Sequence, residues 1–351
     1  LSLLFIFSIN MHQKFSFFSP LSFFMVLFSV CNAFGQRTNV ENIETKVENL
    51  LGRMTLDEKI GQLHQVFGEV ATGTDVTRSD IAEGVRKGSI GSILSHFNFD
   101  NKIKLQQIAV KESRLGIPIV FAADVIHGYK TIFPIPLAQV ASWDMDLIER
   151  IERIATREAT ADGQSWSFTP MVDVCRDGRW GRIMEGAGED PFLGSRVAVA
   201  RVKGIQGNDL SDPSTAAACV KHFAGYGFSE AGRDYNITDM SEQRLRETVL
   251  PPFQAAAKAG AATFMNGFNA LNGVPASMNR HLLTDILRGE WGWKGLVVSD
   301  WNSFGETLIH GTAEDEKDAS AKCLSAGSDV DMVSGVFQKG LRRALEEGRI
   351  T

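Results

Sequence analysis

The chain has 351 residues, 44% of them apolar and 22% charged, a balance that belongs to globular proteins and excludes a disordered or fibrous chain. That length accommodates two ordinary domains, or a single α/β barrel of about 250 residues once a leader is set aside. A formal net charge of −6, with no basic stripe, offers nothing to a polyanion and argues against a nucleic-acid partner.

The first 36 residues differ from everything after them. The chain opens on Leu1, and a start at Met11 places Lys14 in a short basic region ahead of the apolar run FSFFSPLSFFMVLFSV. Small residues follow at Ala33 and Gly35. This three-part pattern reads as a secretory signal cut before Gln36, so residues 1–36 are a leader, residues 37–351 the working chain, and the destination periplasmic or secreted. An uncleaved anchor competes, because the apolar run approaches the length of a membrane span, but Pro20 and the serines weaken it. FSV before Cys31 is a poor lipoprotein signal. Past the leader no stretch is apolar enough to hold the protein in a membrane. Cys175, Cys219 and Cys323 are too far apart for a disulfide framework or a zinc site, and read as small buried apolar residues.

Next comes VENLLGRMTLDEKIGQLHQVF, in which an amphipathic helix is predicted to start at Thr55. Within it Thr55 precedes Leu56 with Glu58 three positions on, the pattern of a capping box. Short apolar runs then alternate with longer helical patterns. The runs are SIGSILSH, IPIVFAAD, SFTPMVDVC, TAAACVKHF, AATFMNGF, GLVVSDW and SDVDMV, spread from residue 89 to residue 333. Between them LIERIATREATADG, FLGSRVAVARVKGIQG, SEQRLRETVLPPFQAAAKAG and NRHLLTDILRGEWGW carry helical periodicity. Near-continuous apolar strands alternating with helices predict a parallel sheet covered by helices.

Of the two architectures that fit, the closed TIM-type (β/α)8-like barrel is favoured over the open doubly wound sheet. Almost every run ends in polar or ionisable residues: Asp124, Asp173, Lys221 with His222, Asn266, Asp300 and Asp331. A barrel brings such tips together on one face, where active sites sit. An open nucleotide-binding sheet needs a Gly-rich phosphate loop after a strand, and neither GxGxxG nor GxxxxGK[ST] is present. Asp300, after the buried run GLVV, poses the sharpest question, since an unpaired carboxylate is costly to bury.

GLVVSDW, CVKHFAGYG, AADVIHG, RDGRWGRIMEGAGEDP and NALNGVPASMN occur together in one register. In this the chain resembles glycoside hydrolase family 3, nearest to the bacterial periplasmic β-glucosidase branch, over residues 40 to 351. The resemblance implies a retaining exo-glycosidase with an N-terminal barrel, and a following α/β sandwich domain that this chain does not carry. It implies that Asp300 is the nucleophile. A retaining glycosidase needs one carboxylate to attack the anomeric carbon and a second carboxyl group about 5–5.5 Å away to protonate the leaving oxygen. Cations or donors should surround Asp300 to keep it ionised, and Lys221, His222 and Arg182 suit that task. By resemblance these three also grip the hydroxyls of the first sugar, Asp124 accepts from its far hydroxyls, and Trp301 lines the subsite.

Plainer readings stand beside these. Asp124 could cap a following helix, Arg182 could belong to an ion network with Arg176, Asp177, Arg179 and Glu185, and Lys221 and His222 could be satisfied core residues. His127 reads as structural, and Glu189–Asp190–Pro191 as a helix start. The chain departs from the family pattern twice. Phe268 stands where the family often has a tyrosine beside the nucleophile, which leaves it a packing role in the subsite. The loop GYGFSEAGRDYNITDM (225–240) lacks the histidine that the N-acetylhexosaminidase branch uses as acid/base.

The expected activity is therefore hydrolysis of terminal β-D-glucosyl residues from an oligosaccharide or β-glycoside through a covalent link to Asp300, with no metal or organic cofactor. The alternatives are a β-xylosidase of the same family and a catalytically silent sugar-binding barrel. A sugar-phosphate isomerase or aldolase using Lys221 lacks a phosphate loop. The acid/base is expected outside this chain, with Glu230 and Asp234 the first in-chain suspects.

Overall fold

Eight short parallel strands, each followed by helix, form the frame of the computed structural model, which describes residues 43–68 and 79–351. The leader read in residues 1–36 lies outside the described residues. The chain divides after Arg53. The described part of the first unit is one helix, Ile43–Arg53. The second, Met54–Thr351, holds the barrel.

In chain order the strands are β1 (His64–Phe67), β2 (Ser92–Leu94), β3 (Val120–Ala123), β4 (Trp166–Ser167), β5 (Ala217–Phe223), β6 (Thr263–Asn266), the hairpin pair β7 (Ala270–Leu271) and β8 (Val274–Pro275), then β9 (Leu296–Val298) and β10 (Asp331–Met332). The sheet runs β10-β1-β2-β3-β4-β5-β6-β9, with every neighbour parallel. A parallel bridge between Val298 and Val330, with the Ser299 N–H donating to the Val330 carbonyl at 2.8 Å, joins the two ends. The ring is a (β/α)8 barrel, as the alternation of runs predicts.

The barrel strand missing from the sequence reading is β1. HQVF was read as the tail of an amphipathic helix, whereas the helix Leu56–Gln62 ends first and His64–Phe67 enters the sheet. Four residues carry too little alternation to separate a strand from the last turn of a helix. The start of that helix is as expected: the Thr55 hydroxyl accepts from the Glu58 N–H at 3.3 Å, and a Glu58 carboxylate oxygen accepts from the Thr55 N–H at 2.8 Å.

Leu94, Ala122, Trp166, Phe168, Cys219, Met265, Val298, Val330 and Met332 fill the barrel interior, alternate residues of successive strands turned inward. The opposite residues of β5, β6 and β9, Val220, Phe264 and Val297, pack on Phe253, Leu283 and Ile286 from the outer helices and on Trp293 from the loop before β9. Burying each of the large ones contributes about 1.5–3 kcal/mol. All three described cysteines are free and buried, as expected. The core leaves the C-terminal ends of the strands as the open face.

Candidate active site

Asp300 stands two residues past β9 and is 7% exposed. Its Oδ1 accepts from the Trp301 N–H at 2.7 Å. Its Oδ2 has no hydrogen-bond partner among the described residues and lies 3.5 Å from Nε2 of His222. Burial pushes the carboxyl up to about 7, while Lys221, the Trp301 N–H and Arg182 pull the other way and Asp124 adds to the rise. Cations do surround it, as the sequence reading asked, but they offset only part of the cost of burial.

β5 supplies two neighbouring site residues. Its register against β6 shifts between Val220 and Phe223, which breaks the in-out alternation of a regular strand. Successive residues Lys221 and His222 can therefore both serve the mouth. Lys221 is 3% exposed, and its Nζ donates to Asp124 Oδ1 at 2.6 Å. Burial works against the ammonium, yet Asp124 holds its pKa above the ordinary lysine value. Asp124 follows β3 directly and does not cap a helix, the next of which begins at Pro136. His222 is fully buried, and burial, with Arg182 and Lys221 close by, keeps its pKa well below the usual value, so the imidazole is neutral. Its Nδ1 lies 2.8 Å from Asp173 Oδ2.

Arg182 comes from a short 3₁₀ segment, Gly181–Glu185, and makes a two-pronged pair with Glu185 at 2.7 and 2.9 Å. Burial opposes its charge, but Glu185 and then Asp300 raise it above the ordinary value. The wider ion network considered from sequence is two separate pairs, since Arg179 binds Asp177 instead. Trp301, 41% exposed, meets Phe67 edge-on with ring centroids 5.1 Å apart.

Phe268 packs at the edge of this cluster between two aromatics that the sequence reading passed over. Tyr226 lies 5.7 Å from it and under the Arg182 guanidinium, and Tyr235 lies 4.3 Å from it. Both tyrosines come from the 225–240 loop, where the sequence points to Glu230 and Asp234 and to a missing histidine but not to the aromatics. The loop is pinned to the β7–β8 hairpin by the Thr238 N–H, which donates to the Ala270 carbonyl at 2.8 Å. Gly227 lets it lie against the barrel, because a Cβ there would stand 2.4 Å from the Val174 carbonyl oxygen. Burial, then Asp300 and Glu306, raise the Tyr235 phenol.

Other residues from the sequence reading lie elsewhere. Asp331 does not join the cluster: its carboxylate accepts from Ser334 and from the Phe337 N–H at the start of helix Val336–Glu346. Asn266 stands behind the site, its Oδ1 accepting from the Asp300 N–H at 3.4 Å. The His127 Nδ1–H donates to the Phe133 carbonyl at 2.8 Å, a structural contact. Asp190 caps helix Pro191–Gln206, as expected. Asp234 accepts from the Trp180 indole at 2.8 Å, and Glu230 and Asp239 line a separate groove with Arg176, Arg179 and Arg244.

A (β/α)8 barrel that brings a buried carboxylate, two cations, a neutral imidazole and an open indole to one mouth has there a site fit for a small polar ligand. Residues 55–351 match the family described as glycosyl hydrolase family 3 N terminal domain. The chain belongs to that family. It is 41% identical over 305 residues to a periplasmic beta-glucosidase of Salmonella typhimurium, covering 87% of this chain and 39% of the relative. A beta-xylosidase of Formosa agariphila is 39% identical over 288 residues, covering 78% of this chain and 40% of the relative. Among solved structures, a beta-glucosidase from Listeria innocua in complex with isofagomine superposes with a TM-score of 0.82 at 42% identity, covering 88% of this chain and 44% of that one. The chain thus spans about two fifths of the length of the relatives it matches.

Proposed function

We propose that this barrel carries the nucleophile and first sugar subsite of a retaining exo-β-glycosidase acting on terminal β-D-glucosyl residues. The observation that carries this reading is Asp300 Oδ2, a buried carboxylate oxygen without a hydrogen-bond partner among the described residues, in a mouth lined by Lys221, Arg182 and His222. Oδ1 is occupied by the Trp301 N–H, which leaves Oδ2 to attack. In the first step an Oδ2–C1 bond forms as the glycosidic C1–O bond breaks, and the leaving oxygen takes a proton. Water then attacks C1, gives up its proton and returns Asp300 as a carboxylate. Asp124 and Lys221 hold hydroxyls of the sugar, and Trp301 offers a ring face to its apolar side. Neither step calls for a metal or an organic cofactor.

Relatives named as a beta-glucosidase and a beta-xylosidase match at nearly equal identity, so a β-xylosidase is the second reading. Comparing kcat/KM on aryl β-glucoside and aryl β-xyloside separates the two. Export to the periplasm or beyond fits the leader pattern and the periplasmic relative, and among the described residues no helix is long and apolar enough to cross a membrane. The decisive test is trapping with a 2-deoxy-2-fluoro β-glycoside followed by peptide mapping. Label on Asp300 is expected; label on any other residue ends the assignment.

A further inference from the structure

Both hydrogen bonds found for the Asp173 carboxylate go to one residue. Its Oδ2 accepts from the backbone N–H of His222 at 2.9 Å and lies 2.8 Å from that residue's Nδ1, with both side chains about 1% exposed. Tyr226 closes on the imidazole edge-on, ring centroids 5.2 Å apart. Asp173 thus holds the main chain and the ring of His222 together, and the ring's other nitrogen, Nε2, faces Asp300 Oδ2 at 3.5 Å.

We propose that Asp173 is a positioning residue that fixes His222 as the Nδ1–H tautomer, so that Nε2 presents a lone pair beside Asp300. There it is free to accept a hydrogen bond from a sugar hydroxyl in the complex. The opposite tautomer would set the bare Nδ1 against an Asp173 oxygen that already accepts a backbone N–H, two lone pairs at 2.8 Å. It becomes tolerable only if Asp173 is protonated. Burial does push Asp173 up to about 7, but the His222 N–H, Arg182 and Lys221 favour its anion, which prevails at pH 8. A protonated imidazolium is disfavoured by burial and by the same two cations. A carboxylate that orients a functional histidine through its second nitrogen is a recurrent device. The sugar half of the proposal rests on the glycosidase reading; the tautomer does not.

The test is ¹⁵N NMR of the histidine-labelled protein at pH 8. One of the seven histidines is assigned to His222 by difference from a His222→Gln variant. The wild type should show a protonated Nδ1 and an unprotonated Nε2, whether or not any glycoside is hydrolysed. Asp173→Asn keeps an oxygen that can accept from both N–H groups, so it should retain the tautomer and most of kcat/KM on an aryl β-glucoside. Asp173→Ala should give a tautomer mixture and lower kcat/KM about 10–100-fold, in the range for loss of an outer-shell partner. A protonated Nε2 in the wild type overturns the proposal. So does a folded Asp173→Ala protein with an unchanged His222 spectrum. If Asp173→Ala does not fold, the wild-type spectrum decides alone.

Discussion

Lys221 and Asp124 form an ion pair of very unequal burial: Nζ and Oδ1 are 2.6 Å apart, with the lysine side chain 3% exposed and the aspartate side chain 42% exposed. The lysine depends on the pair more than the aspartate does, since an ammonium held in the barrel has few other sources of compensation. Asp124→Ala should therefore act on stability as well as on kinetics. Breaking a fully buried pair costs about 3–5 kcal/mol, and the half-solvated aspartate brings the expectation down to roughly 1–3 kcal/mol. Adding Lys221→Met should recover part of that loss, giving a positive coupling in the double-mutant cycle. In the folded fraction kcat/KM should fall at least about tenfold, because contacts to remote hydroxyls strengthen as the ring flattens. Normal kinetics in Asp124→Ala, with only the melting temperature lowered, would remove Asp124 from the sugar subsite.

Asp300 carries a stability cost that a neutral isostere should relieve. Its folded-state pKa of about 7 lies above the unfolded value of about 3.9. Between those values the folded state binds more protons than the unfolded one, so stability falls as pH rises across the window. Asp300→Asn removes the ionisation. It should be more stable than the wild type at pH 8, on the order of 2 kcal/mol, with the gap largely gone near pH 4. Urea titrations of both proteins at the two pH values measure this, and a variant less stable than wild type at pH 8 would show that the cations fully compensate the charge. The same ionisation should set the acid limb of kcat/KM near pH 7 in the wild type.

How much of this was legible in the sequence depends on range. Asp300, Lys221 and Asp124 each follow a recognisable apolar run, so the closed barrel alone suffices to bring them to one face. Asp331 sits inside such a run and opens β10, but hydrogen bonds accepted from Ser334 and the Phe337 N–H claim it for a helix start. Nothing in the run SDVDMV distinguishes the two outcomes. Tyr226 and Tyr235 were hidden for a different reason. They reach the site through the Thr238 contact with a hairpin more than thirty residues on, and no local periodicity reports such a contact. β1 was lost to shortness.

Glu58 offers a pH-dependent effect of opposite sign, away from the mouth. The Arg114 hydrogen bond, with those of Thr55, brings its pKa down to about 2 despite the opposing effect of burial. A depressed carboxylate adds stability that is present above its unfolded pKa of about 4.3 and lost as pH falls through the folded value. Glu58→Gln should therefore cost about 1–2 kcal/mol at pH 7, in line with loss of a capping interaction, and almost nothing at pH 2. Thermal melts at pH 7, 4 and 2 follow the convergence. A constant difference at all three would assign the loss to packing instead of charge.

The proton donor for the leaving oxygen gives the sharpest functional prediction. Asp234 accepts from the Trp180 indole and lies beside the Tyr226 hydroxyl, Glu230 lines a separate groove, and neither makes a hydrogen bond or ion pair with Asp300 itself among the described residues. We therefore expect this chain, assayed by itself, to depend steeply on the leaving group. A good leaving group departs as an anion with little protonation, whereas a sugar alkoxide needs a proton in the transition state. Dinitrophenyl β-glucoside should be cleaved slowly and cellobiose left intact. Azide should accelerate turnover of the activated substrate, since it attacks the glycosyl-enzyme without a general base, and β-glucosyl azide should accumulate. Glu230→Gln and Asp234→Asn should leave the dinitrophenyl rate unchanged within about twofold, because in a nucleophile-only mechanism neither group exchanges a proton with substrate. Efficient cellobiose hydrolysis by this chain, abolished by either substitution, would place the acid on the 225–240 loop and overturn this expectation.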